Sequence, residues 1–155
     1  MPLPPSVTRT TKDGVQITSS VDRCSYTIRE LTRAALRDVG KFVCISSNRA
    51  AQKLHGGGLR KTKRVRGLNK TNAFQYWARR KEGDLQVGIT HDTWYGTEQE
   101  LGSSRMKKKG ILSNTVHDNI AEIVKIESQY LSALESEAQA LALISEEEYR
   151  GGGEE

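Results

Sequence analysis

Residues 84–119 read DLQVGITHDTWYGTEQELGSSRMKKKGILSNTVHDN, and the fold follows from how this stretch is divided. It opens as an alternating strand, with Leu85, Val87 and Ile89 on one face and Gln86, Gly88 and Thr90 on the other, because successive side chains of a strand point to opposite sides. A loop is expected next. It begins at Trp94-Tyr95-Gly96, carries Glu100-Leu101-Gly102-Ser103 in its middle and ends in Lys107-Lys108-Lys109, which delivers the chain into an amphipathic helix. The pattern is that of a strand handing over to a helix through a segment that touches something else, with no mark of an active site.

Working upstream, Phe74, Tyr76 and Ala78 alternate on one face of a second strand, and Gly83-Asp84 turns it into the first as an antiparallel hairpin. The residues from Leu59 to Gly67 are too basic to be buried on either face. They read as a solvated strand or a hairpin arm inside a basic loop at 56–72, so the sheet is expected to have three or four strands.

A long helix precedes that loop. Thr27-Ile28-Arg29-Glu30 has the form of a capping box near its start. Its apolar stripe is Ile28, Leu31, Ala35, Val39, Phe42, Ala50 and Leu54, in steps of mostly three and four. Gly40 and Ser46-Ser47-Asn48 admit a kink, and Gly56-Gly57-Gly58 ends the helix. A C-terminal helix is expected after Leu112, capped by Ser113 or Asn114, with Val116, Ile120, Ile123, Tyr130 and Leu134 on one stripe flanked by Val124 and Leu131. The fold class is therefore α+β, a long N-terminal helix and a C-terminal helix packed on a small antiparallel sheet. Residues 1–14, which hold all three prolines, form an extended arm, 15–144 a single domain, and 145–155 a loose acidic tail. Within that domain Val15 to Ser19 alternate as a short edge strand.

With 155 residues, 35% hydrophobic and 6% aromatic, and a mean hydropathy of -0.61, the chain supports one modest core. No run approaches the ~18 apolar residues a bilayer span requires. The N-terminus lacks the basic start and apolar core of a secretory signal, so a soluble protein made in a cytoplasm is expected. Cys24 and Cys44, placed in or near one helix, would stand roughly 30 Å apart at about 1.5 Å per residue, and are read as free thiols.

Net charge is +5, but it is unevenly spread. Between Arg49 and Lys81 the chain has eleven basic residues and no acidic one; beyond Ile120 nine glutamates stand against Lys125 and Arg150. Such polarity suits nucleic-acid contact at the basic end or head-to-tail contact between copies. Arg60, Lys61, Lys63, Arg64, Arg66 and Lys70 lack interleaved aromatics, a composition for phosphate or acidic protein surfaces rather than base stacking. A solvated loop is the plainer alternative.

Catalytic and metal chemistry finds little support. His55, His91 and His117 have no ligand spacing. The His91-Asp92 and His117-Asp118 pairs fall at element ends, where such residues commonly cap or face water. No phosphate-binding loop, nucleophile elbow or dinucleotide fingerprint is present. No cofactor and no enzymatic activity are expected.

The order of features across the opening stretch, carried by Trp94, Tyr95, Glu100, Leu101, Gly102, Ser103, Ile111 and Leu112 and more weakly by Gly58-Leu59-Arg60-Lys61, resembles the neck and tail-completion proteins of long-tailed bacteriophages, the lambda gpZ-like head-tail joining group. Where relatives often have Pro-Phe-Leu before the last helix, this chain has Gly110-Ile111-Leu112. The resemblance implies a structural virion protein that acts by ring assembly, with Trp94, Tyr95, Glu100, Leu101 and Gly102 at a subunit or partner interface. It further implies a homo-oligomer, six copies being one expectation. The neighbours would be a head-closure protein, a tail terminator and the tail tube, with genomic DNA passing the lumen. Its place would be the virion, and the host cytoplasm during assembly. The alternative from another class is a small basic nucleic-acid-binding protein.

Overall fold

The structure, a computed structural model, describes residues 4–56, 67–68, 70–136 and 138–144. Arg60, Lys61, Lys63, Arg64 and Arg66 of the basic loop, and the acidic tail from 145 on, lie outside the described residues. The chain mixes helix and sheet: β1 (Val7–Thr10), β2 (Gln16–Ser19), α1 (Val21–Leu54), β3 (Phe74–Arg79), β4 (Asp84–Ile89), α2 (Trp94–Leu101), α3 (Ile111–Asp118) and α4 (Ile120–Ser132). Short 3-10 turns occupy His91–Thr93 and Ala133–Glu135. The backbone forms two compact units, one of Met1–Ala35 with Gln129–Glu155, the other of Leu36–Ser128.

In the first unit the expected arm is ordered as a strand. β1 pairs antiparallel with β2, Val7 opposite Ser19 and Thr10 opposite Gln16, and the Thr8 and Thr18 hydroxyls lie 3.1 Å apart across the ladder. Gly14, at φ +79°, supplies the left-handed step that closes the turn. Every residue of both strands is exposed. The four described strands thus make two separate two-stranded sheets, in place of one sheet of three or four strands. The basic residues that would have added a strand beside β3 fall largely outside the described residues, and β1 and β2 satisfy each other.

Helix α1 begins at Val21, so Thr27 sits inside it. The Thr27 hydroxyl donates to the carbonyl of Arg23 at 3.0 Å rather than capping, the back-bonding that Thr adopts once it is within a helix. Leu31, Ala34, Ala35, Tyr130, Ala133, Ala140 and Ile144 are buried here, whereas Ile28 is exposed.

The second unit carries the core that positions the candidate site. The β3–β4 hairpin is antiparallel as expected, with Phe74 opposite Ile89, Tyr76 opposite Val87 and Ala78 opposite Leu85. Its Phe74, Tyr76, Val87 and Ile89 join a cluster with Cys44 and Ala51 of α1, Leu68, and Ile111 of α3. Small residues dominate the buried side of α1, and the reason is visible at Gly40. A Cβ there would stand 2.5 Å from Cδ2 of Tyr76, closer than packed carbons come. Glycine lets the strand approach, and α1 runs through Gly40 and Ser46-Ser47-Asn48 without a break. Leu54, which the stripe placed inward, is exposed. The helix ends there, and Gly56 follows at φ +60° with its N–H on the carbonyl of Lys53.

The C-terminal helix is divided. Gly110, at φ +57°, stands at the start of α3, which begins at Ile111 and not after Leu112. At Asn119 the side-chain amide donates to the carbonyl of Thr115 at 2.7 Å, competing with the backbone ladder, and α4 restarts at Ile120.

Candidate interaction site at the strand-to-helix junction

The segment after β4 folds as a helix where a loop was expected. Thr90 donates its N–H to Ala73, and the buried Thr93 donates its hydroxyl to the carbonyl of Thr90 at 2.7 Å, closing a 3-10 turn. From there α2 starts at Trp94. Its inward side is set by Gly96, where a Cβ would meet Leu68 at 2.9 Å and Ile89 at 3.1 Å. Tertiary packing overrides the weak helix propensity of Thr and Gly here.

Two short helices cap one another. Glu100 is 5% exposed, and its carboxylate accepts from the N–H groups of Leu112 and Ser113, each at 3.1 Å, and from the Ser113 hydroxyl at 3.3 Å. Those N–H groups open α3 and have no partner within their own helix, and an anion is favoured there by the helix dipole. In return the N–H groups of Lys109 and Gly110 donate to the carbonyls of Gln99 and Glu100, and that of Gly102 to Glu98, covering the end of α2. The strap between the helices is thereby tied at both sides. Gly102, at φ +85°, has the Lys108 backbone nitrogen 3.0 Å from where a Cβ would sit, so a side chain is excluded by conformation and by space.

Of the interface residues expected from sequence, Glu100 therefore points inward and Gly102 shapes the strap. The rest turn outward. Trp94 is 50% exposed, Tyr95 45% and Leu101 66%, and the two aromatic rings stack with centroids 3.7 Å apart. The strap that follows exposes Arg105, Lys107 and Lys108, and its Lys108 backbone lies against Gly102, the residue after Leu101.

Lys70, the member of the basic loop that is described, sits 3.4 Å from the carboxylate of Asp92, which occupies Asp92 with a structural ion pair. Among the described residues no three His, Cys, Asp or Glu side chains gather as a ligand set. His55, just past the end of α1, has its pKa lowered by burial and by the Lys109 ammonium. Among the described residues no helix is long and apolar enough to cross a membrane.

Two exposed features escaped the sequence reading. Trp77 is 65% exposed, opposite Gln86 on the outer face of the hairpin over a shallow hollow of about 730 Å³; its alternation against Phe74, Tyr76 and Ala78 was the available signal. Ile120 and Val124 of α4 also face solvent, while Ile123 and Ile126 are turned partly inward. The stripe predicted through Val116, Ile120 and Ile123 is thus divided between two helices and, within α4, between an exposed and a partly buried row.

Compared with protein-family models, with curated proteins and with solved structures, the chain matches none.

Proposed function

We propose that this chain is a non-enzymatic structural protein of the bacteriophage head-tail junction, assembling into a ring that completes or joins the tail. The observation that carries the reading is the Trp94–Tyr95–Leu101 face. Three large side chains are exposed on a helix that is led in by the Thr90–Thr93 turn and whose C-terminal end is fixed by Glu100 and by the strap. A monomer gains nothing by bracing an apolar surface toward water, whereas an interface needs its anchors preorganised. The order of residues across this junction, which resembles the neck and tail-completion group, supplies the biological setting. It also supplies the partners: sister copies, a head-closure protein, a tail terminator and the tail tube, met in the host cytoplasm and retained in the virion. Contact with DNA in the lumen would fall to the basic loop.

The test is to measure molar mass by light scattering across concentration and to assay association with purified tail tubes, for the wild-type chain and for Trp94→Ala/Tyr95→Ala. A ring that the double variant weakens supports the reading, and a chain that stays monomeric and ignores tail tubes refutes it. A second reading, a nucleic-acid-binding protein, rests on the eleven basic residues between Arg49 and Lys81. It requires mobility shifts at low salt that fade steeply as counterions are added.

A further inference from the structure

We infer that the apolar face of α2, with the basic strap that follows it, docks on the outer row of α4 in the next copy, so that the ring is built from one heterologous contact. This rests on the reading of the chain as a self-assembling protein and names which surface meets which. The receiving surface is Ile120, Val124 and Glu127, exposed along α4 at spacings of four and three, the spacing of a helix-packing seam. The adjacent seam, Ile123 and Ile126, about 100° round the helix, is partly buried in the chain itself, and an apolar face this wide is built to be covered across its whole width.

Glu127 decides what covers the open row. Two copies of the same row, paired in parallel, bring Glu127 against Glu127; paired antiparallel, they set it against an apolar side chain. Either arrangement desolvates a carboxylate without a cation. Lys125 does not supply one, because it lies 3.8 Å from Glu122 on its own helix. The covering surface must therefore combine large apolar groups with positive charge. The junction offers both on adjoining stretches of chain, Trp94, Tyr95 and Leu101 exposed on α2, and Arg105, Lys107 and Lys108 exposed on the strap that folds back against Gly102. The exposed side of α1 near its end is a poorer match: Ile45 is followed at the same spacings by Arg49 and Gln52, one apolar anchor only. Since each copy carries both the donor face and the receiving row, the contact repeats from copy to copy and closes when the rotation allows.

Charge reversal with exchange tests this. Glu127→Lys makes both surfaces of a chain basic, and Lys107→Glu/Lys108→Glu makes both acidic. Each variant alone, folded by circular dichroism, is expected to raise the dissociation constant for self-association by about tenfold or more. An equimolar mixture of the two restores assembly, because every contact again joins opposite charges, and so does the single chain carrying all three substitutions. If either reversed chain assembles at wild-type concentrations, or if the mixture and the triple variant stay dissociated, the pairing is wrong while self-assembly stands. If the wild-type chain itself never associates, the reading of the chain as a ring protein fails first, and the pairing with it.

Discussion

Glu100 shows why some residues of the junction resist reading from sequence. Its backbone partners lie 12 and 13 residues further on, whereas the capping patterns that sequence reveals span three, so an inward cap is indistinguishable from an exposed acid. Glu100→Ala leaves two N–H groups of α3 without their acceptor, and is expected to cost about 1–3 kcal/mol of stability, measured by urea denaturation. Gly40 is a second such position. Replacing glycine by alanine within a helix normally gains about 1 kcal/mol. Here the added methyl overlaps the Tyr76 ring at 2.5 Å, and overpacking of this kind costs about 1–3 kcal/mol. The clash outweighs the propensity, so Gly40→Ala is expected to lower the denaturation midpoint, and less so when combined with Tyr76→Ala.

At the level of elements, β2, β3 and β4 were legible because alternation is a local signal, whereas β1 fell in a stretch that reads as an extended arm. Phe74, Tyr76 and Ala78 face inward with Val87 and Ile89, as their period of two requires. Helix α2 was not, since Gly96 and Thr97 are poor helix formers, and what favours the helix is non-local: the fit of Gly96 against Leu68 and Ile89 and the bonds that Gln99 and Glu100 make to distant backbone. The start of α1 was obscured by a capping box at Thr27 that a longer helix absorbed. The long helix also separates the two cysteines in behaviour. Cys24 is exposed and Cys44 buried, with the Cys44 thiol pushed by burial from 9.0 to about 11. A thiol reagent at neutral pH is therefore expected to label Cys24 and spare Cys44 in the folded chain, with mass spectrometry of the digested adduct as the check. The linkage has a sign. The unfolded thiol loses its proton first as pH rises, so its contribution is complete below pH 9.0 and is lost on approaching about 11. Stability should fall through that window, less steeply in Cys44→Ala.

For the whole molecule, what was readable was the uneven spread of charge along the chain; what was not is which surfaces remain open. Burial divides α4 into two seams, and no periodicity count says which of them the chain itself covers. The apolar row on its outer side and the rings of α2 lead to one expectation about bulk behaviour: self-association through a contact that couples apolar area to opposite charges weakens with added salt without vanishing, as sedimentation at several ionic strengths would show. The hairpin of β1 and β2 has a different consequence. A ladder of two strands with both faces in water has no layer to protect its amides, and an isolated hairpin is marginal by itself. Deuterium should therefore enter Val7–Thr10 and Gln16–Ser19 early in the free chain, and a protease that clips after Ser19 should leave the packing of Phe74 and Ile111 undisturbed. Slowed exchange at those eight amides in an assembled particle would then report, from outside the core, that a neighbour has arrived.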